Sequence, residues 1–135
     1  MCDKPGTACA SRTIRAVIPE GYPLWVRISA TDWVENGWEI EQSIALADKL
    51  KSLGVDLIDC SSGGTLPNVK IPLKPGYQTQ FASRIRNEAN ILTGAVGLIT
   101  TAEQADRIIR TGQADIVLIG REFLRNPALH KCGIN

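Results

Sequence analysis

The sequence predicts an α/β fold of about four βα units with parallel strands. Three observations carry this: four short and continuous apolar runs, an amphipathic helical pattern in each gap, and run-to-run spacings of roughly 25 to 36 residues. That spacing is the length of a βαβ unit with a right-handed crossover.

The first run, Leu24 to Ile28, is apolar without alternation except for Arg27. Continuous apolar character is the mark of a strand buried on both faces. Ile40, Ile44, Ala47 and Leu50 then recur at helical spacing, and Gly54 stands where a left-handed C-terminal cap is wanted. Val55 to Ile58 is the second strand, followed by a Pro-rich and Gly-rich loop from Gly63 to Gly76. Phe81, Ala82, Ile85 and Ala89 mark the next amphipathic helix, and Ile91 to Val96 the third strand. Thr100 and Glu103 read as a capping box for a helix whose buried stripe is Ala102, Ala105, Ile108 and Ile109, ended by Gly112. Ile116 to Ile119 is the fourth strand.

A doubly wound open sheet and part of a (β/α)8 barrel both satisfy this pattern. A complete barrel needs about 250 residues, and 135 residues leave room for half of one. A dinucleotide-binding open sheet carries G-x-G-x-x-G directly after its first strand. Ser29-Ala30-Thr31-Asp32 stands there instead, which weakens the open-sheet reading.

Composition narrows the function classes. Fifteen basic residues balance fourteen acidic ones, and the signs are interleaved, so nothing favours nucleic acid or an anionic membrane surface. Apolar runs last a few residues, against the roughly 20 needed to cross a bilayer. Met1 to Ala10 holds Asp3, Lys4 and Pro5 and lacks the pattern of a secretory signal, so a cytosolic location is expected. Cys2, Cys9, Cys60 and Cys132 match no paired zinc spacing and are expected as reduced thiols, with Cys60 a small buried hydrophobe. No metal site is expected at His130 and Cys132.

Two features carry chemistry. A cation in a strand of this kind needs a carboxylate or an anionic ligand, and Asp59, near the end of the next strand, is the available partner for Arg27. Burial leaves ion pair and ligand contact equally open. The second feature is Gly94-Ala95-Val96-Gly97 and Ile119-Gly120-Arg121-Glu122 at the ends of the third and fourth strands. In (β/α)8 enzymes such loops bind phosphate through backbone N–H groups and a helix N-terminus. Gly97 and Gly120 allow close backbone approach, and Arg121 can add a charge-assisted hydrogen bond. Taken alone, Gly97 is better read as a turn residue and Arg121 as a solvated first-turn charge; together, at two successive strand ends, they favour a phosphate.

The segments Pro23–Ala30, Gly54–Gly63, Pro75–Gln78, Thr93–Ile99 and Ala114–Pro127 resemble, in order and spacing, the later strands of old yellow enzyme relatives of the bacterial NADPH dehydrogenase and xenobiotic reductase branch. The likeness covers about Arg12 to Pro127. It implies residues 12–135 as the C-terminal half of an FMN-binding (β/α)8 TIM barrel, with 1–11 a divergent segment. It further implies FMN as cofactor, NAD(P)H as reductant and an enone-type small molecule as substrate. Arg27 would meet the N1/C2 carbonyl edge of the isoalloxazine, and Gly97, Gly120 and Arg121 the phosphate. Ser61 or Ser62 would lie near the ribityl chain or the mouth of the site. The family's histidine pair that polarises the substrate carbonyl, and its proton-donor tyrosine, have no matching motif here, so no catalytic residue is assigned. The expectation is therefore a partial enzyme supplying flavin-binding residues. The alternative is a non-catalytic half-barrel that binds FMN or phosphate at most, or that associates with another chain or with itself through unpaired strand edges.

Overall fold

The computed structural model describes residues 6–129. Its elements are α1 (Thr7–Val17), β1 (Trp25–Ser29), α2 (Ile40–Ser52), β2 (Leu57–Ser61), α3 (Thr79–Glu88), β3 (Leu92–Ala95), α4 (Ala102–Arg110), β4 (Ile116–Val117) and α5 (Arg121–Arg125). The predicted strands are all present, shifted at their ends by up to three residues. The second strand moves most, from Val55–Ile58 to Leu57–Ser61: the Val55 N–H still bonds Leu50 O at the end of α2, so the strand cannot begin before the chain leaves that helix. His130 and Cys132 lie outside the described residues.

The four strands are parallel and lie in the order β1-β2-β3-β4. This order settles the architecture left open by periodicity. A right-handed crossover always places its helix on the same side relative to the direction of travel. A sheet that never reverses its order therefore collects its helices on one face, as in a barrel, whereas a doubly wound sheet reverses and covers both. Ile28, Ile58, Cys60 and Ala95 point to the helical face and form one core with Ala47 and Leu50 of α2, Ala82 and Ile85 of α3, and Ile108 of α4. The chain is a partial (β/α)8 barrel.

The helices begin and end for local reasons. Glu39 caps α2 in a reciprocal box with Gln42. Gly54 follows α2 at φ of +84°, the left-handed geometry anticipated for it, and Gly112 follows α4 at +68°. The start of α4 differs from expectation. Thr101 is its N-cap and accepts from Gln104 N, while Gln104 Oε1 reaches back to Thr100 N. The cap therefore uses Thr101 and Gln104 in place of Thr100 and Glu103, one residue further along.

The expectation of strands buried on both faces holds for the central β2 and is corrected for β1 and for the start of β3. The face away from the helices carries Trp25, Leu57 and Leu92 in one row and Arg27, Asp59, Gly94 and Ile116 in the next. Trp25 and Leu92 are each 53% exposed. Four strands do not close, so the face that a full barrel would fill with side chains is half open.

A repeated clamp ties the lower end of the sheet. Asp56 precedes β2, its N–H bonds Leu24 O, and its Oδ2 accepts from Leu24 N. Asp115 precedes β4 and does the same to Thr93 of β3, through Thr93 O and Thr93 N. Each aspartate also meets an arginine from an earlier helix, Arg15 of α1 for Asp56 and Arg86 of α3 for Asp115. The β1–β2 and β3–β4 pairs are thus locked in register where the second strand starts, which fixes the relative height of their loops at the other end.

Candidate functional site

At the upper, C-terminal end of β3 and β4 the chain forms a cleft of about 260 Å³ whose lining includes Val96, Gly97, Leu118, Gly120, Arg121 and Arg125. Gly97, Gly120 and Arg121, three of the four predicted binding residues, are therefore brought together. The backbone makes this possible. Gly97 has φ of +116°, and a Cβ on it would stand 2.8 Å from Gln78 Nε2 and 3.0 Å from Tyr77 Cε1. No residue with a side chain fits both the conformation and the space. At Gly120 a Cβ would meet nothing, so that backbone is open to a ligand.

The cleft is suited to an anion. Arg125 is paired with Glu122 at 3.4 Å, whereas Arg121 forms no ion pair among the described residues. A helix does begin at this corner, since α5 starts at Arg121 with Gly120 as its N-cap, although five residues build only a small dipole. The guanidinium and the backbone N–H groups carry the electrostatics.

Arg27 stands elsewhere on the same sheet, on the inner face of β1 and in register with Asp59, Gly94 and Ile116. Its Nε donates to Asp59 Oδ2 at 2.5 Å. The structure corrects which partner is buried: the Arg27 side chain is 58% exposed and Asp59 only 8%. Because β1 is an edge strand, Arg27 opens to solvent while the carboxylate between neighbours does not. The two readings of Arg27 are compatible, since the ion pair uses Nε and the rest of the guanidinium projects from the face.

Between these two places run Ser61 and Ser62. The Ser62 hydroxyl is buried and donates to Gln78 Oε1 at 2.7 Å; Ser61 is half-buried and lies 3.5 Å from the same atom. Ser62 thus faces Gln78, and Ser61 is the more accessible of the two. Trp33, in the loop after β1, adopts φ of +63°, an uncommon conformation for a bulky residue that is often found at functional sites. Its ring is held edge-on against Phe81 at 5.4 Å and tilted over Tyr77 at 6.5 Å. Sequence reading passed over Trp33 and gave Gln78 no role beyond its place in the matching segment Pro75–Gln78.

Cys60 is fully buried on the helical face, and burial first, then the Asp59 charge, pushes its thiol up to about 12. It is an inert core residue rather than a nucleophile. Among the described residues no helix is long and apolar enough to cross a membrane.

Comparison with known proteins identifies the family. A model described as the NADH:flavin oxidoreductase / NADH oxidase family matches residues 12–132. The chain is 50% identical over 121 residues to an NADPH dehydrogenase of Halalkalibacterium halodurans, an alignment covering 86% of this chain and 36% of the relative. The chain thus spans about a third of the length of that curated relative.

Proposed function

Because the chain belongs to the NADH:flavin oxidoreductase / NADH oxidase family, we propose that it contributes the flavin-binding side of an FMN-dependent NAD(P)H oxidoreductase acting on enone-type small molecules. The observation that carries this reading is the convergence of Gly97, Gly120 and Arg121 on one cleft at the end of the sheet that also bears Arg27. From strand geometry of about 4.8 Å between neighbours and 3.3 Å per residue, Arg27 and Gly97 stand roughly 14 Å apart in Cα terms, across two strand spacings and about three residues of rise. One elongated ligand with an anionic end and a ring bearing carbonyl oxygens fits that separation.

Bound there, FMN would supply hydride transfer between NAD(P)H and the substrate. The residues of this chain have simpler tasks. Arg121 neutralises the phosphate, and Gly97 and Gly120 let backbone N–H groups reach it. Arg27 places positive charge beside the ring carbonyls, and Asp59 fixes the direction of its guanidinium through Nε. No histidine or tyrosine in the described cleft lining polarises a substrate carbonyl. The chain by itself is therefore expected to bind flavin without turning over an enone.

Titration of the purified chain with FMN and with riboflavin, for wild type and Arg121→Ala, tests this. Loss of one charged hydrogen bond, about 1.5 to 3 kcal/mol, lowers FMN affinity by roughly 10- to 150-fold and leaves riboflavin nearly unchanged. Equal losses for both ligands, or no flavin binding by wild type, would refute the assignment.

A second reading is favoured by the half-exposed Trp25 and Leu92 on the inner face. In it the four strands are completed by further strands from another chain or a second copy, and flavin binds only to the completed barrel. Analytical ultracentrifugation with and without FMN separates the two: a monomer that binds FMN excludes the second.

A further inference from the structure

Gln78 is 3% exposed and belongs to neither the cleft lining nor the core cluster, yet its side-chain amide is used at both ends. Its Oε1 accepts from Ser62 Oγ at 2.7 Å, just beyond β2, and its Nε2 donates to Val96 O at 3.1 Å, just beyond β3. The same Nε2 packs against Gly97 so closely that a Cβ there would stand only 2.8 Å from it. The turn that carries Gln78 is anchored to the corner as well, through Gly76 N–H to Gly97 O at 2.9 Å. One buried amide therefore spans the ends of two adjacent strands directly beneath the glycine whose backbone faces the cleft.

We propose that Gln78 is a positioning residue for the phosphate corner, setting the height and direction of the Val96–Gly97 backbone through its bond to Val96 O. The inference rests on the flavin reading for its ligand but not for its geometry. Parallel β2 and β3 end in free loops, and no ladder hydrogen bond runs between them beyond Cys60 and Ala95. A planar amide with one donor end and one acceptor end is suited to hold a hydroxyl and a carbonyl at a fixed separation. Without it the loop loses its tie to β2, and the part-buried Val96 carbonyl loses its side-chain partner.

The test has two arms, both on the intact 135-residue chain. The first needs no ligand. Amide hydrogen exchange is followed at Gly76, whose N–H bonds Gly97 O, and at Asp115, whose N–H bonds Thr93 O at the opposite end of β3. Gln78→Met, similar in shape but unable to form either bond, should speed exchange at Gly76 by about tenfold, the net worth of one buried hydrogen bond, with Asp115 changing less than about twofold. Equal acceleration at both amides, or none at Gly76, overturns the proposal in favour of an ordinary packing role. Should Gln78→Met fail to fold, Ser62→Ala removes only the Oε1 contact and should accelerate Gly76 selectively by a smaller factor.

The second arm measures FMN against riboflavin. Gln78→Met should weaken FMN by about tenfold and riboflavin by less than about threefold. Unchanged FMN affinity alongside faster Gly76 exchange overturns the link to phosphate. If wild type binds neither flavin, the flavin reading fails while the exchange arm still decides the role of Gln78.

Discussion

Replacing Arg27 with alanine separates the structural task of this side chain from its proposed ligand contact. Asp59 is 8% exposed in its side chain, and its Oδ1 already lacks a hydrogen-bond partner, so the 2.5 Å contact from Arg27 Nε is its charge-compensating bond. Removing one partner of a fully buried pair costs about 3 to 5 kcal/mol, and leaving a buried polar group unsatisfied about 1 to 3. Arg27 is 58% exposed, so solvent screens the pair and water can follow into the space left behind. The expected loss is about 1.5 to 2.5 kcal/mol. For a domain of this size that lowers Tm by roughly 3 to 6 °C per kcal/mol. The assay is a urea-denaturation double-mutant cycle with Asp59→Asn, in the absence of flavin. If the pair matters as argued, Arg27→Ala in the Asp59→Asn background costs less than about 0.5 kcal/mol, a coupling of at least about 1 kcal/mol. Additive losses, or a single-mutant cost below about 0.5 kcal/mol, would refute the reasoning. Repeating the cycle with FMN adds the ligand contact, visible as loss of the stabilisation that bound ligand confers on wild type.

The remaining expectations concern stability. Asp115→Ala and Asp56→Ala each leave a strand-start N–H without its carboxylate acceptor, at Thr93 and Leu24 respectively. Each should cost about 1 to 3 kcal/mol by chemical denaturation, with the double variant close to additive because the sites lie two strands apart. The buried Cys60 thiol gives a defined pH dependence. Below about pH 9 the folded and unfolded states both hold the proton and stability is flat with respect to this group. Between there and about 12 the unfolded chain ionises and the folded one does not, so stability falls as pH rises. Unfolding by urea at pH 8 and pH 10, for wild type and Cys60→Ala, should show a steeper decline for wild type. In the same range Cys60 should resist alkylation until the chain unfolds.

The sequence by itself determined the four βα units, because continuous apolar runs and helical stripes report burial that any parallel sheet imposes. It also marked the residues for which chemistry allows few substitutes: a glycine at Gly97, cations at Arg27 and Arg121, and a carboxylate at Asp59 able to answer one of them. Tertiary structure decided what periodicity does not encode. Strand order separated barrel from open sheet, since both use the same local pattern and differ only in which neighbour each strand chooses. Edge position, not composition, made Arg27 exposed and Asp59 buried. The tie from Gln78 to Ser62 and Val96 joins residues 16 and 18 positions away, across a loop with no period to read. Periodicity records which side of an element faces the core, whereas long-range polar contacts depend on where loops return, and only the packed chain fixes that.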